Sequence, residues 1–259
     1  MRMKGKSGRK SGGSQSKSGG GHKSGGKGAP SALGPSGGQR DLNVRLKTAR
    51  KRTASSQRWL ERQLNDPYVA ASKREGFRSR AAYKLIEIDD KYRLLKPGQR
   101  VVDLGAAPGG WSQIAAQRTQ SVEGRGQVIA IDILDMEPVA GVQHAKLDFM
   151  EENAEAWLKE KLGGKTADIV LSDMAAPTVG HTSTDHLRIM ALAEAAAHFA
   201  CDVLGPGGAF LCKVFQGGTE RDLLDLLKKR FATVRHVKPP ASRSDSAELY
   251  VLATGFKPD

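Results

Sequence analysis

Twelve residues, Arg100 to Trp111 (RVVDLGAAPGGW), combine a short apolar run with three glycines, a proline and one carboxylate. Val101 and Val102 open what reads as a buried strand, and a helical pattern (Trp111, Ile114, Ala115) starts directly after the glycines. Strand, glycine turn and helix together let a ligand lie against bare backbone at a helix N-terminus. The usual phosphate readings do not fit. A dinucleotide fingerprint needs glycine at position 107, where Ala107 stands. A P-loop needs lysine and then Ser or Thr after the last glycine, where Trp111 and Ser112 stand. Asp103 adds a negative charge that suits a cationic ligand better than a pyrophosphate. Taken alone, the stretch is also compatible with a tight βα turn in an enzyme of another kind.

Three more carboxylates fall at strand ends. Asp132 follows QVIAI, Asp148 follows the weaker strand Val142–Leu147, and Asp173 follows ADIVL. Each by itself could cap a helix or close a turn. Four on successive strands point to a shared ligand, because open α/β sheets bind beyond the C-terminal ends of their strands. Asp132 stands where an acid holds ribose hydroxyls in dinucleotide folds. With Gly105 and Gly109 facing the ligand's backbone, and Asp103, Asp132, Asp148 and Asp173 meeting hydroxyls and cationic groups, a nucleoside carrying positive charge and no phosphate fits best. S-adenosylmethionine has that chemistry. Lys213 lies inside the apolar strand AFLCKV, where a lysine seldom serves structure alone. Cys212 points to the opposite sheet face and, with Cys201, reads as core. That argues against a cysteine nucleophile of the kind that methylates pyrimidine carbon. No Asn/Asp-Pro-Pro-aromatic segment is present for an exocyclic amine, the histidines lack metal-ligand spacing, and no metal is expected.

The elements that must position these residues alternate. Strands are expected from Val101-Val102, at 127–131, 142–147, 167–171 and 209–214, and near 232–237 and 247–253. Helices are expected from Trp111, over 151–162, from Asp185 to Leu204 with a stop at Gly205-Pro206, and over 219–230. This pattern predicts an α/β, Rossmann-like fold with a mostly parallel seven-stranded sheet and helices on both faces. Upstream, Ser79 is expected to cap a helix running to about Leu95 that carries Lys84. Asp66-Pro67 reads as a turn. After it, Tyr68, Lys73, Arg74, Phe77, Arg78 and Arg80 interleave rings with cations, which suits either a nucleic-acid surface or an ordinary amphipathic border.

Charge divides the chain more sharply than any motif. Of the net +13 over 259 residues, all belongs to residues 1–52, which hold 14 Lys/Arg against the single acid Asp41; residues 53–259 hold 27 of each sign. Residues 1–38 are mostly Gly, Ser and Lys, too poor in apolar groups to offset ordering entropy. They read as a flexible basic arm for nucleic acid, with a solubilising tail as the plainer alternative. The expected division is a basic tail at 1–52 and a catalytic domain at 53–259. No apolar run is long enough for a membrane span, and two cysteines make no disulfide framework. A cytoplasmic protein is expected.

Five segments carry a resemblance. SRAAYKL (79–85), VVDLGAAPGGWSQ (101–113), SDMA (172–175), GGAFLCKVFQG (207–217) and SRSDSAELYVLATG (242–255) are similar to the FtsJ/RrmJ-type 2′-O-ribose methyltransferases, in particular bacterial enzymes of large-subunit ribosomal RNA. The likeness runs from about residue 58 to the C-terminus. One departure is SDMAAPT where the family commonly reads SDMAPN. The resemblance implies a catalytic set matching Lys84, Asp173, Lys213 and Glu248, and a donor contact at Trp111. It also implies a uridine of 23S ribosomal RNA in the large subunit as target, and a monomer. Methyl transfer to a hydroxyl needs the oxygen oriented and its proton removed. A lysine base must be neutral, which asks for a shift from about 10.4 to ~7, or about 4 kcal/mol. Another RNA, such as transfer RNA, or a non-catalytic ribosome-assembly factor that binds RNA, are the competing expectations.

Overall fold

The computed structural model describes residues 53–177, 180–216 and 221–258; the expected basic tail at 1–52 lies outside them. Seven strands form one sheet: β1 (Arg100–Leu104), β2 (Gln127–Asp132), β3 (Val142–Lys146), β4 (Ala167–Ser172), β5 (Leu204–Phe215), β6 (Phe231–Val237) and β7 (Glu248–Phe256). Their order is β3-β2-β1-β4-β5-β7-β6. β1 to β5 pair in parallel, and β7 runs antiparallel between β5 and β6. The expected α/β fold with a mostly parallel seven-stranded sheet is therefore present. The order reverses between β1 and β4, the place where sheets of this type open a crevice.

Among the described residues, seven α-helices accompany the sheet: α1 (Ala54–Leu64), α2 (Pro67–Glu75), α3 (Ala81–Tyr92), α4 (Gly110–Thr119), α5 (Glu152–Leu162), α6 (Thr182–Val203) and α7 (Arg221–Arg230). Alternation along the strands sorts the core into two layers. Val102, Leu104, Ile129, Val170, Phe210 and Cys212 pack toward α5, α6 and α7. Val101, Val128, Leu171, Leu211 and Tyr250 pack toward α3 and α4. Lys213 pairs directly with Tyr250 across β5 and β7. It therefore shares the α3 face, and Cys212 the opposite face, as alternation predicts.

Four local expectations need correction. The stretch after Asp66-Pro67 is a helix, α2, whose N-cap is Asp66: its side chain accepts from the Tyr68 N–H at 3.0 Å, and Pro67 occupies the first turn. Ser79 does not cap α3. Arg80 is the N-cap, without a side-chain bond, and the Ser79 hydroxyl packs where a Cβ on Gly110 would lie. That helix ends at Tyr92 rather than Leu95, because Arg93 turns left-handed and Asp89 Oδ1 takes the Leu95 N–H at 2.7 Å. Finally, α6 gives way to β5 without a loop, and Gly205-Pro206 sits inside the strand.

Candidate active site

Gly105 sits at the sheet's crevice, immediately after β1, with φ 78°; a Cβ there would come within 2.8 Å of the Met174 N and Cα. The chain after β4 thus presses against the chain after β1, and the Asp173 N–H bonds the Leu104 carbonyl at 3.1 Å. Next to this contact opens a cavity of about 360 Å³ whose lining includes Gly105, Asp132, Asp148, Phe149, Met174 and Arg188. Asp132 Oδ2 accepts from the Ala107 N–H at 2.9 Å and Oδ1 from Leu134 at 2.7 Å. Asp148 Oδ1 accepts from the Met150 N–H at 3.0 Å. Loop amides therefore hold both carboxylates in place at the cavity wall.

Other sequence-predicted ligand residues stand behind the wall. Asp103 is fully buried; its Oδ2 accepts from Ser112 Oγ at 2.6 Å, while Oδ1 meets no donor among the described residues. Burial pushes its carboxyl up to about 7, against the pull of the Ser112 hydrogen bond, and repulsion from Asp173 and Asp132 adds to the rise. Gly109 (φ 104°) packs against Val139, Arg78 and Met136 and shapes the turn. Trp111 faces inward. Its ring is 2% exposed, lies 5.6 Å from the Tyr250 ring, and donates from Nε1 to the Ala81 carbonyl at 2.9 Å. The ring is core; what α4 offers toward a ligand at this end is the backbone N–H groups of its first turn.

This lining tests which ligand belongs. Ile133, Leu147, Phe149 and Met150 supply apolar surface for a flat ring, and the acids at the wall suit hydroxyls and an amine. Arg188 is the one cation in the lining and already donates to the Pro177 carbonyl at 3.3 Å, so no cradle for a pyrophosphate is assembled. A phosphate-free cationic nucleoside fits the residues present.

Beyond Met174 the four expected catalytic residues come together. Lys213 Nζ lies 2.9 Å from Asp173 Oδ1 and donates to the Asp173 carbonyl at 2.7 Å. Lys84 Nζ, from α3, is 2.7 Å from Glu248 Oε2 and 4.0 Å from Asp173 Oδ2. Lysine and acid thus alternate along one chain of contacts. Two members were not singled out from the sequence. The Tyr250 hydroxyl donates to Asp173 Oδ1 at 2.8 Å, and Ser242 Oγ donates to Glu248 Oε1 at 2.7 Å. Tyr250 was within reach of sequence reasoning, because it stands two positions from Glu248 on the same strand and so shares its face. Ser242 belongs to a loop and carried no such signal.

Electrostatics weigh the opposing influences on the lysines. Burial alone would lower the Lys213 pKa, but Asp173 first and Glu248 second raise it above the ordinary lysine value. For Asp173, burial would raise the pKa, yet Lys213, Lys84 and the hydrogen bonds from Lys213 and Tyr250 hold it below the ordinary carboxylate value. Burial and the neighbouring carboxylates push the Tyr250 phenol well above its usual range. The resting site therefore holds an ammonium at Lys213, not the near-neutral lysine that a ready base requires. Among the described residues no group of three or more His, Cys, Asp or Glu is placed to hold a metal ion.

Comparisons with known proteins show the family. The model of the FtsJ-like methyltransferase family matches residues 77–256. Ribosomal RNA large subunit methyltransferase E of Parvibaculum lavamentivorans is 64% identical over 237 residues, covering 89% of this chain and 93% of that protein. The protein of the same name from Bradyrhizobium diazoefficiens is 66% identical over 216 residues, covering 83% and 94%. Among solved structures, a ribosomal RNA methyltransferase from Plasmodium falciparum superposes with a TM-score of 0.63 at 33% identity, covering 71% of this chain and all of that one.

Proposed function

The chain belongs to the FtsJ-like methyltransferase family, and from that premise we propose that it transfers a methyl group to the ribose 2′-oxygen of a uridine in 23S ribosomal RNA of the large subunit. The observation that carries this reading is the Lys84–Asp173–Lys213–Glu248 cluster, set beside a cavity fitted to a cationic nucleoside. S-adenosylmethionine, when bound, supplies a methyl group on a sulfonium with a neutral thioether as leaving group. Asp132 and Asp148 would hold its hydroxyls and amine, Gly105 would give it a path along the backbone, and Asp103, behind the wall, would add negative charge beneath that path. The protein would act as a monomer, in the cytoplasm, without a metal.

The protein's own task is to orient the hydroxyl and take up its proton as the new carbon–oxygen bond forms. Lys213 is suited to direct the oxygen, since Asp173 grips its ammonium through both a carboxylate oxygen and the main-chain carbonyl. Before it can accept the proton it must release its own to solvent, and positive charge placed in the adjoining cavity favours that release. Lys84 balances Asp173 and Glu248, and Glu248, held through both oxygens by Lys84 and Ser242, would orient the incoming hydroxyl. The test is transfer of labelled methyl from S-adenosylmethionine to isolated large subunits, free ribosomal RNA and transfer RNA, followed by mapping of the modified nucleotide. Lys213→Ala is expected to reduce turnover at saturating RNA by a factor on the order of 10²–10⁴. Near-wild-type turnover in that variant would falsify the assignment.

A further inference from the structure

A second cavity, of about 210 Å³, is lined by Arg62, Arg80, Arg243, Asp245, Ser246 and Glu248. It shares no lining residue with the donor cavity, and the catalytic cluster joins the two: Met174, next to Asp173, lines the first, and Glu248 lines the second. Three guanidiniums converge here from elements far apart in sequence: α1, the N-cap of α3 and the loop before β7. The buried carboxylate of Asp66 ties two of them together, with Oδ2 lying 3.0 Å from Arg80 Nε and 3.1 Å from an Arg243 nitrogen. Arg62 faces Asp245 at 3.8 Å, and both side chains are more than half exposed. Such a pair contributes little stability and opens readily.

We propose that this cavity seats a backbone phosphodiester of the substrate RNA, the one flanking the ribose that the catalytic cluster engages, with Arg62 and Arg243 as its direct contacts. The inference rests on the function proposed above. A ribose 2′-hydroxyl and its 3′-phosphate sit on adjacent ring carbons, so a hydroxyl held at Glu248 and Lys213 brings a phosphate to whatever polar site adjoins Glu248. Guanidinium forks match phosphate oxygens in pairs, and phosphate contacts set register on the nucleic acid without reading its sequence. Three guanidiniums and two carboxylates, Asp245 and Glu248, line the cavity, and Glu248 is already paired with Lys84, so the lining carries a net positive charge. Asp66 orients Arg80 and Arg243 before the RNA arrives. Asp245 has the opposite effect: it occupies Arg62 and repels an incoming phosphate.

That opposition gives a test of sign. Full-length wild type, Arg62→Ala, Arg62→Lys and Asp245→Ala are compared on large subunits that lack the modification, or on whichever RNA the wild type methylates, over a range of salt. Arg62→Ala should raise the KM for RNA about 5–10-fold at nearly unchanged kcat and reduce the salt dependence of log KM by about one unit. Arg62→Lys should recover part of that loss. Asp245→Ala should lower the KM. Both positions are exposed, so folding is not at risk, unlike Arg243→Ala, which would strip Asp66 of a partner. If the KM and its salt slope stay unchanged in Arg62→Ala, or if the Arg62→Ala and Asp245→Ala variants shift the KM in the same direction, the cavity does not hold a phosphate. If the wild type methylates no RNA at all, the functional reading fails first and the inference falls with it.

Discussion

Two buried ionisable groups set the pH behaviour of this protein, and their shifts have different consequences. Lys213 has its pKa raised by Asp173 and Glu248. If the amine must be neutral to take the ribose proton, the single-turnover rate at saturating donor and RNA should climb nearly tenfold per pH unit from about pH 6 to about pH 9, without a plateau in that range. A rate independent of pH would remove Lys213 from the proton path. Asp103 concerns stability. Its carboxyl titrates near 3.8 when exposed and near 7 in the fold, so between these values the folded state binds more protons than the unfolded. The stability this group contributes is full below about pH 4 and is lost as pH rises through about 7, by an amount on the order of 4 kcal/mol. Asp103→Asn should therefore raise the urea midpoint of the donor-free protein at pH 8, with the difference shrinking toward pH 5, while weakening donor binding. A variant that is no more stable than wild type at pH 8 would show that the buried charge is compensated by other groups.

At the scale of elements, the site depends on how closely two strand ends approach. Gly105 has a left-handed φ and no room for a Cβ against the Met174 backbone. Gly105→Ala must push the segment after β4 outward, moving Asp173 away from Lys213 and widening the donor cavity. The expected result is a loss of roughly 1–3 kcal/mol in stability together with a fall in donor affinity, measured by denaturation and by calorimetric titration. Unchanged values for both would mean that the crevice tolerates the displacement. A recognisable cap residue did not by itself fix a helix boundary. The Asp66-Pro67 pair was a readable start for α2, an N-cap followed by proline in the first turn, although it suggests a turn just as well. Ser79 was not readable in this way, because whether a serine caps a helix or packs against a glycine of another helix depends on a neighbour thirty positions away in the chain.

Over the whole molecule, charge is segregated: residues 1–52 carry the entire excess of +13, and the rest carries none. The arginine cavity is therefore a local concentration of positive charge in a balanced domain, whereas the first 52 residues hold the excess that the sequence assigns to a basic arm for nucleic acid. If that segment meets about 6 phosphates, RNA affinity should fall on the order of 10³-fold between 50 and 200 mM salt, and deleting residues 1–38 should flatten the dependence. A slope that survives the deletion would assign it to the domain alone. Among the described residues no helix is long and apolar enough to cross a membrane.

By itself the sequence determined the α/β alternation, the glycine turn, the acids at the strand ends and the Lys213 anomaly, because each is a local pattern. A period of two sorts faces, glycine permits a left-handed backbone, and a lysine inside an apolar strand needs a reason. The likeness of five segments to one family then supplied the identities of Lys84 and Glu248, which no local rule marks. Only the tertiary structure could decide what happens between segments: Trp111 as core rather than ligand contact, Tyr250 and Ser242 as supports of the cluster, and three distant arginines around one cavity. The protonation of Lys213 belongs to the same class. It is set by Asp173, 40 positions away, and by Glu248, 35 positions away, and Coulomb interactions act through space, not along the chain.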